Sequence, residues 1–168
     1  VGIVLIFTTA STLITVLYMG HITARLGRLN AIGLGSVLIA ASLLLFGQAA
    51  SFSSLLFLAG TLLGVGWGLF YILTPVILTE ITQKNDRIRI FTLLSVFIMA
   101  GFGLSPVFGY LLVDAGFNIG LTFTLTAVLC LISGAMFMGL RGAVANLLHG
   151  QVLAISSGLS FSAMLTVV

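Results

Sequence analysis

The twelve residues MGHITARLGRLN, positions 19–30, separate two long apolar runs and carry two of the six basic residues of the chain. Residues 1–18 and 31–79 contain no Asp, Glu, Lys or Arg. An α-helix needs about 20 apolar residues to cross the hydrocarbon core of a bilayer, and both flanks supply runs of about that length. The stretch therefore predicts a short basic connection between two membrane-spanning helices.

The composition of the whole chain supports the same fold class. Of its 168 residues, 60% are hydrophobic and only 5% are charged, and the mean hydropathy is +1.34. In soluble domains about a quarter of all residues are charged, so this chain has too few polar groups to cover a surface in water. The sequence predicts an all-α, polytopic helical bundle in a lipid bilayer.

Six candidate spans divide the chain, and we predict that they form one transmembrane domain over residues 1–168. They are residues 1–20, 29–49, 54–79, 89–113, 119–140 and 152–168. The chain begins and ends inside apolar runs, so we expect it to be an incomplete bundle whose remaining helices belong to the same protein.

The basic residues predict the orientation of the bundle. They fall in alternate connections and comprise Arg25, Arg28, Lys84, Arg87, Arg89 and Arg141. Cytoplasmic loops carry the excess of Lys and Arg, so residues 21–28, 80–88 and 141–151 are predicted to be cytoplasmic, in the inner cell membrane. No charged residue lies deep in a span; we expect Glu80 to be solvated beside Lys84 and Arg87. A coupling ion such as a proton would then be bound elsewhere.

The sequence does not indicate an enzyme. It has no paired carboxylates, no nucleophile with a base, and no phosphate-binding loop, so we predict no catalytic residue, no metal site and no cofactor. The basic residues form no run, which argues against nucleic acid as a partner. The lone Cys130 lies in an apolar run and is interpreted as a packing residue.

The opening stretch resembles a motif of major facilitator transporters, G-x-L-x-D-R-x-G-R, which lies in a cytoplasmic loop. Ile22 replaces the leucine of the motif, and Ala24 stands where the family has aspartate. In that family the loop is a latch that stabilises one access state through pairs of arginine and carboxylate. Without an acid at position 24, the latch is either weaker or completed by another residue. The matching residues, here called the latch motif, are Gly20, Arg25, Gly27 and Arg28.

Two later segments resemble further helices of the same family. Residues 60–80 resemble its fourth helix, R-x-x-x-G-x-G-x-G, although Gly60 replaces the arginine. Residues 100–112, AGFGLSPVFGYLL, resemble its fifth helix, G-x-x-x-G-P-x-x-G-G. Small residues every four positions let membrane helices pack backbone to backbone. The positions to which the resemblance gives a packing or gating role are Gly64, Gly68, Gly101, Ser105, Pro106 and Gly109.

The resemblance implies a transporter that moves a small molecule by alternating access, with efflux favoured over uptake. The order of the motifs matches the family's second to seventh helices, and a register beginning at its eighth helix stays open. A non-transporting bundle that acts as a sensor or assembly partner also stays open, because no charged residue lies deep in a span. The pattern from Gly20 to Arg28 argues against a small exporter that dimerises. A hydrated cavity shared by Thr12 and Tyr71 would favour transport, and dry packing between them would argue against it.

Hydroxyl and aromatic side chains supply the candidate substrate contacts. In the first span Thr8, Ser11, Thr12 and Thr15 follow the spacing i, i+3, i+4, i+7, which places them on one helix face. They either line a cavity or bond back to their own helix. Tyr71 shares a face with the glycines of the third span and is placed too deep for an interfacial anchor. The residues predicted to line a substrate cavity are Thr8, Thr12, Thr15, Tyr71 and Thr74.

Overall fold

The computed structural model describes residues 2–49 and 54–139, and every secondary-structure element in these ranges is an α-helix. The helices are α1 (Gly2–Leu17), α2 (Met19–Leu26), α3 (Arg28–Gln48), α4 (Ser54–Ile81), α5 (Arg87–Asp114) and α6 (Ile119–Gly139). The predicted span 152–168, the predicted loop 141–151 and Arg141 lie outside the described residues.

The helices confirm the predicted all-α membrane bundle. By length and composition α3, α4, α5 and α6 can each cross a bilayer, and α1 with α2 counts as a fifth span if the bent pair is taken together. The bounds of α3 to α6 lie within two residues of those predicted. The mean hydropathy of these four segments, about 2, explains why the sequence located them well.

The prediction was wrong where the opening stretch was taken as a loop. The first helix ends at Leu17, and the chain bends by 64° into the separate helix α2, which contains most of residues 21–28. The hydrogen-bond ladder continues across the bend, because the N–H groups of His21 and Ile22 donate to the carbonyl oxygen of Tyr18. Met19 and Ile22 share one face of α2 and pack on the core. This apolar face explains why a polar stretch is helical.

Four helices form the packed part of the bundle. Helix α4 lies between α1 and α3, and α6 packs on the other side of α3. Pairs of contacts give the relative directions of the helices. Helix α3 is antiparallel to α4, through Ser42 with Ala59 and Arg28 with Glu80, and to α6, through Gly33 with Met138 and Gly47 with Gly120. Helix α1 is parallel to α4, through Val4 with Gly60 and Thr15 with Gly68. The largest buried apolar cluster contains Ala31, Ile32, Leu69, Leu73 and Ile77.

Two features of the bundle position the sites described below. The beginning of α3, the end of α4 and the beginning of α5 lie together at what we call the basic end, which carries Arg25, Arg28, Lys84, Arg87 and Arg89. Helix α5 has no buried residue and touches the other described helices only sparsely, at α4 and α6. A cleft therefore runs between α4 and α5.

Candidate functional site

The hydroxyl groups of α1 bond back to their own helix. Each donates to the carbonyl oxygen four residues earlier: Thr8 to Val4 at 3.0 Å, Ser11 to Phe7 at 2.8 Å, Thr12 to Thr8 at 2.9 Å and Thr15 to Ser11 at 2.8 Å. The hydroxyl oxygen of Thr12 also lies 2.9 Å from the carbonyl oxygen of Gly64 in α4. This hydroxyl therefore joins two helices.

The same face of α1 packs against glycines of α4. A Cβ atom on Gly64 would collide with the hydroxyl oxygen of Ser11 and the carbonyl oxygen of Thr8, and one on Gly68 would meet the Cβ of Thr15 at 3.2 Å. The resemblance implied a packing role for Gly64 and Gly68, and the structure places both in this close contact. It places the predicted cavity residues Thr8, Thr12 and Thr15 there too, at a helix contact rather than in the cavity between α4 and α5.

At the basic end, the residues of the latch motif lie on α2, on α3 and at Gly27 between them. Gly27 has φ +77°, which favours glycine, and separates α2 from α3. Gly20 and Arg25 are exposed on α2; among residues 2–49 and 54–139, Arg25 makes no ion pair. Arg28 begins α3 and pairs with Glu80 near the end of α4.

The partner of Arg28 corrects the expectation for Glu80, whose carboxylate contacts α3 instead of standing solvated beside Lys84 and Arg87. Glu80 thus places a carboxylate beside the latch motif, which has Ala24 where the family has aspartate. The side chains of Arg28 and Glu80 are 48% and 35% exposed, so water and salt screen the attraction between their charges. Such a pair contributes about 0–1 kcal/mol to stability, which suits a contact that forms and breaks.

A cavity of about 560 Å³ opens between α4 and α5, and we call it the aromatic cavity. Tyr71 and Thr74, both predicted substrate contacts, line it together with Gly101 and Ser105 of α5. The rings of Trp67 and Tyr71 stack with centroids 5.9 Å apart and planes 18° apart. Six aromatic residues contribute to its wall: Trp67, Phe70, Tyr71, Phe91, Phe97 and Phe102.

The two prolines of the chain leave helix carbonyl groups beside this cavity without their usual donors. Pro75 in α4 has no N–H to give the carbonyl oxygen of Tyr71, and Pro106 in α5 has none for Phe102. Both aromatic residues line the cavity. Each proline thus interrupts the hydrogen-bond ladder of its helix at the level of the cavity.

The polar side-chain groups of the cavity wall are hydroxyls and the indole N–H of Trp67. Thr74 donates to the carbonyl oxygen of Phe70 at 2.7 Å, and Ser95 and Ser105 also line the wall. No Asp, Glu, Lys, Arg or His is among the described residues that line it. The cavity therefore combines aromatic surface with a few uncharged hydrogen-bonding groups.

Thr12 and Tyr71 face different neighbours: Thr12 joins α1 to α4, and Tyr71 lines the cleft on the α5 side. Thr12 is not among the residues that line the cavity beside Tyr71, so the two do not share it.

The aromatic residues of α5 were missed in the sequence, because the face that α5 turns to α4 cannot be read from a helix that is apolar on all sides. One signal was present: each proline follows an aromatic residue by four positions. The glycine stripe of α5 makes no close contact in the described part of the chain, since a Cβ on Gly101 or Gly109 would meet no atom within 4 Å. Its packing or gating role stays a prediction.

Comparison with known proteins agrees with this architecture. The family model described as the Major Facilitator Superfamily matches residues 1–166. No curated protein and no solved structure matches the chain. The proteins of this family are membrane transporters of small molecules rather than enzymes. A match over nearly the whole length, together with apolar spanning helices, shows that this multi-pass membrane chain belongs to the Major Facilitator Superfamily.

Proposed function

We propose that the chain moves a flat, largely apolar small molecule by alternating access and that the aromatic cavity forms part of its substrate site. The observation that carries the proposal is the wall of six aromatic residues around about 560 Å³, at Trp67, Phe70, Tyr71, Phe91, Phe97 and Phe102. Ligand pockets of about 300–1,000 Å³ with apolar walls and few polar groups are typical of small-molecule sites. Stacked rings such as Trp67 and Tyr71 offer a face for a planar ligand.

The polar groups of the cavity restrict the ligand further. The indole N–H of Trp67 donates, and the hydroxyl groups of Tyr71, Ser95 and Ser105 donate or accept, so the site suits a ligand with a few hydrogen-bonding groups of either kind. The absence of a cationic side chain among the described lining residues disfavours anions. A neutral molecule, or a cation that stacks on the rings, is the favoured substrate class.

Efflux is the direction that we propose. The cavity lies in the cleft beside α5, which has no buried residue, so its aromatic wall is accessible from the side of the bundle. Flat apolar molecules dissolve in the bilayer and would reach the site from there. If transport is coupled to a proton, a carboxyl group outside the described lining has to carry it.

At the basic end, we propose that the contact between Arg28 and Glu80 is the ionic part of the latch. The positive φ of Gly27 sets the turn that brings Arg28 to the first position of α3, within reach of α4. We also propose that the basic end faces the cytoplasm, in the inner cell membrane, as the positive-inside rule predicts.

The test of the substrate site compares two tyrosines. The full-length protein is reconstituted in liposomes, and export of a planar fluorescent dye is measured for the parent, Tyr71→Ala and Tyr110→Ala. Tyr110 lies on α5, is 68% exposed and does not line the cavity. Loss of ring stacking at Tyr71 is expected to lower the apparent dye affinity by up to about tenfold, whereas Tyr110→Ala stays near the parent. Equal effects of the two changes would contradict the proposed site.

A second candidate function follows from α5. Its lack of buried residues leaves a long apolar helix able to bind a helix of another protein. A non-transporting assembly partner is therefore the alternative. It predicts no dye export by the parent at all, together with co-purification of a second membrane protein that is lost when Leu104, which is 53% exposed on α5, is changed to Arg.

A further inference from the structure

A second cavity, of about 540 Å³, lies in the same cleft between α4 and α5 but next to the basic end. Asp86 and Arg89 provide its charged part, where α5 begins. The apolar part comes from both helices and consists of Leu78, Ile81, Ile90 and Leu93. The site thus has a charged mouth and apolar walls, and we call it the amphipathic cleft.

The charged residues that line the cleft are Asp86 and Arg89, and the segment 84–89 that joins α4 to α5 at its mouth is positive as a whole. Lys84, Arg87 and Arg89 lie within six positions of one another and Asp86 is the acid between them, so the local formal charge is 3 − 1 = +2. Glu80, the nearest other acid along the chain, forms an ion pair with Arg28. Within residues 2–49 and 54–139, none of the three cations forms an ion pair.

Charge and shape together limit the occupant. An apolar helix packed into the cleft would desolvate both Asp86 and Arg89, which form no ion pair with each other, and would supply no polar partner to either, which is costly. An amphiphile with an anionic head neutralises Arg89 at the surface and places its tail along the apolar walls. Guanidinium groups bind phosphate oxygens in a two-pronged geometry, and basic side chains near a membrane surface attract anionic lipids.

We propose that the amphipathic cleft binds one anionic phospholipid. Its phosphate contacts Arg89 and is attracted by Lys84 and Arg87, and one acyl chain lies between Leu78 of α4 and Leu93 of α5. Bound in this way, the lipid fills part of the gap left by the sparse contact between α4 and α5. The inference does not depend on the substrate of the aromatic cavity.

The test uses the full-length protein in neutral detergent and native mass spectrometry to count retained lipids. Phosphatidylglycerol and phosphatidylcholine of equal chain length are offered at equal concentrations, with and without excess inorganic phosphate. We expect one tightly retained phosphatidylglycerol, preferred over phosphatidylcholine. Inorganic phosphate should displace little of it, since phosphate alone gains nothing from the apolar walls.

Charge variants assign the lipid to the cleft. Arg89→Gln is expected to weaken retention about fivefold, the effect of one basic residue near an anionic surface. Arg25→Gln, which removes the same charge at the basic end but away from the cleft, should leave retention close to the parent. Asp86→Asn removes the repelling acid and is expected to strengthen retention, which an unfolded variant could not do.

Three results would overturn the proposal. Equal retention of the two lipids would remove the anionic preference. Equal loss in Arg25→Gln and Arg89→Gln would indicate a diffuse charge effect and no defined cleft. Full displacement by inorganic phosphate would indicate an anion site without a lipid tail.

Discussion

At the scale of single residues, the basic end brings a carboxylate that is distant in sequence to an arginine of the latch motif. The latch motif lacks its aspartate at Ala24, and the sequence alone left open whether another residue takes its place. The structure brings Glu80, from the end of α4, to Arg28. The ordinary spacing of residues within α2 and α3 gives no sign of this partner, because the pairing depends on the antiparallel register of α3 and α4.

We expect Arg28 and Glu80 to be energetically coupled. In a double-mutant cycle with Arg28→Ala and Glu80→Ala, the double variant should lose less transport than the sum of the single variants, with a coupling of about 0.2–1 kcal/mol. Dye export is measured at matched abundance in the membrane, and the coupling should shrink at high salt because the pair is partly exposed.

The control for this cycle is Arg25, which makes no ion pair in the described ranges. Arg25→Ala combined with Glu80→Ala should give additive losses. Additive losses for Arg28 and Glu80 as well would remove the proposed latch contact. So would parent-like export by Arg28→Ala.

At the scale of helices, the sequence was most informative about where each span begins and ends, and least informative about which faces meet. Uninterrupted apolar runs located α3 to α6 because a bilayer demands length and hydrophobicity, whatever the neighbours are. The resemblance gave the glycines of α4 a packing role, and Gly64 and Gly68 do lie against α1. The hydroxyl face of α1 could not be assigned, because a helix contact and a hydrated cavity both suit threonine.

The close contact of α1 with α4 predicts that alanine is destabilising at Gly64 but tolerated at Gly103, which lies outside this contact. Gly64→Ala is expected to destabilise the protein by about 1–3 kcal/mol, since the added methyl collides with Ser11 and Thr8. Gly103→Ala on α5 meets no atom within 4 Å and should be neutral or slightly stabilising, because alanine is the better helix former. Thermal unfolding in detergent distinguishes the two.

If Gly64→Ala and Gly103→Ala melt at the same temperature, the close approach of α1 and α4 does not exist in the membrane.

At the scale of the whole molecule, the charge pattern predicted how the ends of the helices are grouped. Five of the six basic residues lie at the basic end, as their alternation along the sequence implied, and the sixth, Arg141, is outside the described residues. The cavities between α4 and α5 could not be anticipated in the same way, because they depend on how sparsely α5 contacts its neighbours.

The proposed orientation can be measured with single cysteines in a Cys130→Ala background. Gln83→Cys lies at the basic end, and Ala115→Cys follows α5 at the opposite end. A maleimide that cannot cross the membrane should label Ala115→Cys in intact cells and Gln83→Cys only after permeabilisation. The reverse pattern would invert the proposed topology, and labelling of both in intact cells would contradict a single orientation.

The contacts between α3 and α4 also bear on the order of events during synthesis. They join the two helices at three levels. Near the short connection, the hydroxyl of Ser42 donates to the carbonyl oxygen of Ala59 at 2.7 Å. Gly35 and Gly66 are in close contact farther along, and Arg28 pairs with Glu80 at the far ends. None of these contacts needs α5 or α6. We expect α3 and α4 to form a helical hairpin, held by these contacts, as they enter the membrane during synthesis. The later spans then pack onto this hairpin.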